Sequence, residues 1–353
     1  MNTYRAALLT RPRCIELGEL EVPPLARDEV LVRVRSANLC PTDVKKWQDD
    51  ALAALLAEFP LVLGHEIAGD VVAIGDNVTS VDVGDRVALD PVLPCGTCAA
   101  CLDGRPSTCS GLAGIGGAVG APERNARLLA AAGIGGGFAE LVKAPHTSVI
   151  PIPDGLSYAA ASLIEPLADV LHGITAIGDI RDRRCAVYGL GPMGLLHVQA
   201  LVYLGAHVVG VDPREDRRET ARALGAHSTV EPEDVPTFDR AFIVAGGPGL
   251  LAAAAGALDA LGVHGALVLF ASGSPGVALP VDPNRLHYQR QRIIGVVGFE
   301  PAHARLAIEL LVNGAIAVDL LRTPKITLED LQSAFETIGA PGVLKPAIDF
   351  GPA

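Results

Sequence analysis

At 353 residues the chain is about twice the usual single-domain length, so two domains are the starting expectation. A formal charge of −12 argues against a protein that grips phosphate backbones, and 50% hydrophobic with 19% charged residues excludes disorder and allows a large core. No apolar run reaches the ~20 residues that span a bilayer, and MNTYRAALLTRPR has no A-x-A-like site, so a cytoplasmic protein without nucleic-acid or membrane partners is expected.

Residues 1 to about 110 read as β-rich. EVLVRVR (Glu29–Arg35) alternates almost strictly and puts Val30, Val32 and Val34 on one face. IAGDVVAI (Ile67–Ile74) is a second such run, and Gly75-Asp76-Asn77 and Gly84-Asp85 mark turns. A barrel or sandwich follows from this pattern. Residues 111–137 are rich in Gly and Ala, and read as a loop or lid with a short helix around Asn125–Ala132. After Pro153 the texture changes. Ser157–Ile177 has a helical pattern with Ser157 as its N-cap. The runs CAVYGLG, HVVGVD, AFIVAGG, ALVLFAS and RIIGVVG then alternate with helices at Met193–Leu204, at Arg214–Leu224 and after Gly249. That rhythm indicates a doubly wound parallel sheet. Pro301–Asn313 and ITLEDLQSAFETI resemble amphipathic helices. Lysine occurs only at 45, 46, 143, 325 and 345, a bias that reads as genome composition more than function.

Three motifs carry chemistry. Gly189-Leu190-Gly191-Pro192-Met193-Gly194 follows an apolar strand and opens a helix, and Asp212 ends the next strand. In that context the glycines let backbone approach a pyrophosphate at a helix N-terminus. Asp212 would accept from ribose hydroxyls and repel a 2′-phosphate, favouring NAD over NADP, although Arg214 and Arg217 soften the preference. The competing reading is a glycine-rich turn in a non-nucleotide α/β domain. Second, Cys95, Cys98, Cys101 and Cys109 crowd one loop, a donor set for tetrahedral zinc with no vacancy and hence a structural role. Third, Cys40-Pro41-Thr42-Asp43, Gly64-His65-Glu66 and Glu165-Pro166-Leu167 offer a thiolate, an imidazole and carboxylates that suit one zinc with room for a substrate oxygen. Taken singly these residues are as well read as a core histidine, a surface charge and a small buried hydrophobe.

The motifs CPTD, LGHEIAG, VGDRV, PCGTCAACLDGRPSTC, GGFAELV, EPLADVLHG and GLGPMG, in this order, resemble zinc-dependent medium-chain alcohol dehydrogenases, most of all the polyol, sugar and threonine dehydrogenase branch. The resemblance covers essentially the whole chain. It implies a GroES-like β-barrel catalytic domain (residues 1–154, completed by 296–353), a Rossmann NAD-binding domain (155–295) and an active site in the cleft between them. It further implies catalytic zinc on Cys40, His65 and Glu66 with Glu165 as an additional or exchanging ligand, and structural zinc on the four clustered cysteines. Asp43 would orient the ligand histidine. Thr42 would receive the substrate's proton. Gly189, Gly191, Pro192, Met193, Gly194, Asp212 and Arg217 would hold the nucleotide.

Three departures stand out: Pro41 replaces the family's usual glycine, Lys45 stands where a relay histidine is common, and the segment from Cys109 to Gly137 is longer than usual. Either Lys45 takes the relay role with a lowered pKa, or protons leave through water. Asp169 shares a helix face with Glu165 and His172, and either binds a substrate amine or hydroxyl or merely pairs with His172 or solvent. Trp47 reads as packing rather than pocket lining. The expected activity is reversible oxidation of a secondary alcohol of a small molecule: a polyol, sugar, cyclitol or amino sugar. A non-catalytic NAD-binding zinc protein and a zinc-independent reductase are the alternatives. By resemblance a homodimer or homotetramer is expected, with the strand around Arg292–Gly298 extending a sheet across subunits.

Overall fold

The computed structural model describes residues 3–109, 111, 113–115, 133–273 and 276–351. The lid expected over 111–137, with its helix near 125–132, falls largely outside the described residues. The chain divides into two compact units, Met1–Glu165 with Val318–Ala353, and Pro166–Ala317.

The first unit is built from short strands. A three-stranded sheet has the order β2 (Cys14–Glu21), β1 (Thr3–Arg11), β4 (Leu61–Val62). A seven-stranded sheet runs β10 (Val149–Pro151), β6 (Arg86–Leu89), β5 (Glu66–Ile74), β3 (Glu29–Asn38), β18 (Ala347–Asp349), β17 (Lys325–Ile326), with β9 (Leu141–Pro145) also pairing β3. β7 (Val92–Leu93) pairs β8 (Ala113–Gly114), and an isolated bridge joins Ala6 of β1 to Ala139. Val30, Val32 and Val34 are buried as the alternation requires, and Leu31 is buried as well. The ladder of β3 with β5 also carries irregularities between Leu31 and Val32 and between Val34 and Ser36. Trp47 lies in this core, its ring 5.5 Å from that of Phe335.

Register in this sheet decides what meets at one of its ends. Asn38 of β3 pairs with Glu66 of β5 on one side and with Ala347 of β18 on the other. Segments distant in sequence therefore turn away from the sheet side by side: Leu39-Cys40, Gly64-His65 and Lys345-Pro346. The Leu39 amide bonds the Pro346 carbonyl at 2.8 Å, which fixes this meeting point.

The second unit holds a six-stranded sheet ordered β13 (Ser228–Val230), β12 (His207–Val211), β11 (Arg184–Tyr188), β14 (Phe238–Ile243), β15 (Leu261–Leu269), β16 (Arg292–Gly295), with every pair parallel. Counted within the unit this is the order 3-2-1-4-5-6 of the doubly wound dinucleotide fold. The unit's ends differ from the expected 155 and 295. It extends to Ala317 because the helix Pro301–Val312 buries Ala304, Ala307 and Leu310, and the Ala317 amide donates to Gln199 Oε1 at 2.7 Å. Ser157–Ile177 is not one helix but two, Tyr158–Ala161 and Ile164–Ile177, and the unit begins within the second. Ser157 caps the first by accepting from the Ala160 amide. Pro166 has no N–H for the Ser162 carbonyl, which instead accepts from Asn38 Nδ2 at 3.1 Å.

One buried base sets an acid limit on this unit. His197, in the helix Pro192–Tyr203, is fully buried between Phe242 and Phe270, with Nδ1 2.8 Å from the Met193 carbonyl oxygen. Burial lowers its pKa from 6.5 to about 4. The folded state stays neutral there while the unfolded chain takes a proton, so stability falls as pH drops from 6.5 towards 4, by about 3 kcal/mol at the lower end. In denaturant titrations across that window, wild type should lose about 3 kcal/mol that His197→Leu retains. Curves that stay parallel would contradict this role.

Candidate active site and metal centres

The nucleotide loop begins where β11 ends. Gly189 has φ +94°, and a Cβ there would lie 2.6 Å from the Ala245 amide nitrogen. Gly194 is tighter: its Cβ would sit 1.9 Å from the Gly189 carbonyl oxygen. Gly191 is the opposite case, for a Cβ there would meet nothing within 4 Å. It is also the N-cap of the helix Pro192–Tyr203, whose first residue is Pro192. A dinucleotide pyrophosphate fits that open approach to a positive helix end. Met193 follows in the first turn. Asp212 is buried after β12, accepting from the Leu190 amide at 2.8 Å and the Arg214 amide at 2.9 Å. Each carboxylate oxygen keeps a lone pair for a ribose hydroxyl. Arg217 stands 3.5 Å from Asp212, and Arg214 forks onto Asp216.

The four clustered cysteines bring their sulfurs within 4.8 Å of one another. The loop aims backbone donors at them: the Cys98 amide at Cys95 Sγ (3.4 Å), and the Cys95 and Gly111 amides at Cys109 Sγ (both 3.3 Å). Hydrogen bonds from Thr97 and Cys98 hold the Cys95 thiol below its ordinary range, whereas desolvation and the neighbouring sulfurs push Cys101 up to about 12. So crowded a set stays deprotonated together only around a cation, and tetrahedral zinc is the ion that four thiolates suit.

A second group, Cys40, His65 and Glu66, also has its donor atoms within 4.8 Å of one another. Cys40 is half-buried at the N-terminus of the helix Pro41–Trp47, where Pro41 takes the first position. His65 and Glu66 are buried at the start of β5. Asp43 ties the pieces together. One of its oxygens accepts from the Cys40 amide at 2.9 Å; the other accepts from the Gly64 amide at 3.1 Å and lies 3.2 Å from His65 Nδ1. With Nδ1–H donating to Asp43, Nε2 is the nitrogen open to a metal. Burial works to lower the His65 pKa, but the Asp43 carboxylate and Cys40 thiolate outweigh it and raise it well above the usual value. Glu66 Oε2 is buried without a hydrogen-bond partner. A thiolate, an imidazole and an oxygen in want of a partner fit a divalent ion such as zinc.

The remaining expected residues lie outside these groups. Thr42 is half-buried beside Cys40, and Lys45 lies exposed one turn along the same helix. Glu165 is outside the close set and acts at longer range through its charge on Lys345. Asp169 shares the helix Ile164–Ile177 with His172, whose Nδ1 lies 2.6 Å from the Gly298 carbonyl oxygen and whose ring stacks on His303 at 4.8 Å. Sequence reading missed Lys345, buried with its Nζ 2.5 Å from Glu66 Oε1. The available signal was a lysine in the apolar run VLKPAI of a lysine-poor chain.

Residues 26–154 match the alcohol dehydrogenase GroES-like domain and 192–313 the zinc-binding dehydrogenase domain. The chain is 30% identical to the sorbitol dehydrogenase of Bacillus subtilis (strain 168), over 95% of this chain and 93% of that protein. The chain belongs to the zinc-dependent medium-chain alcohol dehydrogenases. It is 28% identical to the L-threonine 3-dehydrogenase of Pseudoalteromonas atlantica, over 95% of this chain and 96% of the relative. Among solved structures, a zinc-binding dehydrogenase from Sinorhizobium meliloti 1021 bound to NADP superposes with a TM-score of 0.86, at 26% identity over 99% of this chain and 100% of its own. This medium-chain dehydrogenase is thus an oxidoreductase acting on CH–OH donors, with zinc and a nicotinamide nucleotide as cofactors. The alternative of a non-catalytic zinc protein is not supported.

The outer carboxylate offers a direct check on the dehydrogenase's metal centre. Asp43→Asn should weaken zinc at the Cys40 group by about 10–100-fold, because both the tautomer and the basicity of His65 depend on it. Competition with a chromogenic chelator measures this, and unchanged affinity would show that Asp43 serves only the backbone amides.

Proposed function

We propose that the chain oxidises a secondary alcohol of a polyhydroxylated small molecule to the ketone, reversibly and with NAD in preference to NADP. The observation that carries this reading is the convergence of Cys40, His65 and Glu66 under the hand of Asp43. Zinc, when bound, supplies Lewis-acid charge for the substrate oxygen, and the nicotinamide supplies the hydride acceptor. The chain's own work is placement. Cys40, His65 and Glu66 hold the metal, with Glu165 as a reserve carboxylate, and the Cys95–Cys109 loop holds a structural ion. Thr42 accepts the proton of the substrate hydroxyl and passes its own on, towards Lys45 or water. Asp212 receives the adenosine ribose, while Arg217 and Arg214 leave a lesser route to NADP, the nucleotide of one solved relative.

The named relatives act on sorbitol and on L-threonine, which carries an amine beside its alcohol. Asp169 supports the extension to amino sugars and aminocyclitols as a carboxylate for that amine. Likeness to the named dehydrogenases supports a cytoplasmic protein, and the edge strand β16 offers a surface for a second copy. The decisive experiment combines zinc analysis with NAD reduction over polyols, sugars, cyclitols and their amino derivatives, on wild type and Asp169→Asn. Two zinc ions per chain and turnover of a polyhydroxylated compound are expected, with amino substrates losing most in the variant. One zinc ion and no turnover would sink the reading; equal efficiency of the variant on amino substrates would remove Asp169 from it.

A further inference from the structure

Lys345 is among the most completely buried cations of the chain, at 1% exposure, and it has no part in the chemistry described so far. Its Nζ lies 2.5 Å from Glu66 Oε1, with the side chain of Glu66 itself 0% exposed. It arrives there through register: β18 follows it by two residues and pairs with Asn38, which pairs in turn with Glu66. An isolated buried ammonium is costly, so a lysine in this position implies negative charge that needs balancing. Glu66 supplies it in direct contact, and the charges of the Cys40 thiolate and Glu165 act on it as well.

We propose that Lys345 is a positioning residue of the metal centre, which occupies one oxygen of Glu66 and supplies the positive charge that keeps the centre receptive to an anionic substrate oxygen. Two consequences follow from the geometry. Because Lys345 engages Oε1, Glu66 is left to offer a metal only Oε2, the buried oxygen without a partner. A one-oxygen grip leaves coordination space that a two-oxygen grip would fill. The charge count is the second consequence. A divalent ion and the Lys345 ammonium together offset the Cys40 thiolate, Glu66 and Glu165, and without the ammonium the centre would carry net negative charge. With Lys345 neutral or absent, the centre attracts the substrate oxygen less and holds its metal more tightly. Opposite effects on turnover and metal retention distinguish this role from simple packing, which would weaken both.

The inference rests on the functional reading above, and the wild-type protein separates the two. If wild type holds no ion at the Cys40 group, that reading fails; if wild type is loaded and active, variants at 345 test Lys345 alone. Lys345→Gln keeps a donor for Glu66 Oε1 but removes the charge. Its kcat/KM should fall about 100-fold. Its release of Co2+ to a chelator, followed by the visible spectrum of the cobalt-substituted protein, should slow about tenfold. Lys345→Met should in addition change the band pattern of the cobalt spectrum, because both Glu66 oxygens become available. Lys345→Arg, which keeps the charge, should retain wild-type metal release and at least about a tenth of turnover. Faster cobalt release in the Gln variant, or unchanged turnover in it, would overturn the proposal. Should the Gln and Met variants fail to fold, the Arg variant decides: faster cobalt release with turnover below about a hundredth of wild type refutes a charge role.

Discussion

Replacing Cys40 or His65 with alanine should reduce kcat by at least about 10³-fold, about 4 kcal/mol of transition-state stabilisation, while NADH binding stays within a few-fold of wild type. The two halves of that expectation come from different units of the chain. Cys40 and His65 belong to the first unit and converge with Glu66; Gly189 to Gly194 and Asp212 belong to the second, which has its own hydrophobic core. Removing a thiolate or an imidazole takes one donor from the proposed zinc site but alters no residue of the nucleotide loop. Cys40→Ala leaves the Asp43–His65 contact in place, whereas His65→Ala also leaves Asp43 Oδ1 with the Gly64 amide alone. The histidine variant should therefore be the less stable of the two. Turnover numbers, zinc content and NADH fluorescence titration check the pair. Undiminished turnover in either variant would remove the metal from the reaction.

How much of this was readable beforehand depended on whether the relevant contacts are local. The cysteine cluster was legible because all four thiols fall between Cys95 and Cys109, so spacing alone brings the donors together. The parallel sheet was legible for a similar reason, since each strand and its helix are consecutive. The Cys40, His65 and Glu66 group was not legible from periodicity; it required a resemblance, because the donors meet only through the pairing of β3 with β5. Lys345 lay beyond even that. Nothing near position 345 indicates a charged partner, since Glu66 lies 279 residues away and is brought close by β18. The apolar stripe of Pro301–Val312 likewise says that the helix packs, but not on which sheet. The break at Ser162 was in principle readable, for Pro166 already denied a helical partner to its carbonyl.

The two glycines of the nucleotide loop should answer one added methyl in opposite ways. Gly194→Ala places a Cβ 1.9 Å from the Gly189 carbonyl oxygen, a backbone atom that cannot swing aside as a side chain would. Either the helix Pro192–Tyr203 or the end of β11 must move. Both are packed against the core of the second unit, where Leu195, Leu196 and Tyr188 are buried. Overpacking of this kind costs about 1–3 kcal/mol, so Gly194→Ala should lower thermal stability with or without nucleotide. Gly191→Ala meets no atom within 4 Å and has no positive φ to strain, so the unliganded protein should melt as wild type does. Its added methyl instead occupies the approach that a pyrophosphate would use, and NADH affinity should fall about 100-fold or more. Melting curves recorded with and without NADH test both claims together: Gly194→Ala shifted in both, Gly191→Ala shifted only in the presence of nucleotide. A Gly191→Ala protein that still gains wild-type stability from NADH would mean that the open space above this glycine is not where the phosphates lie.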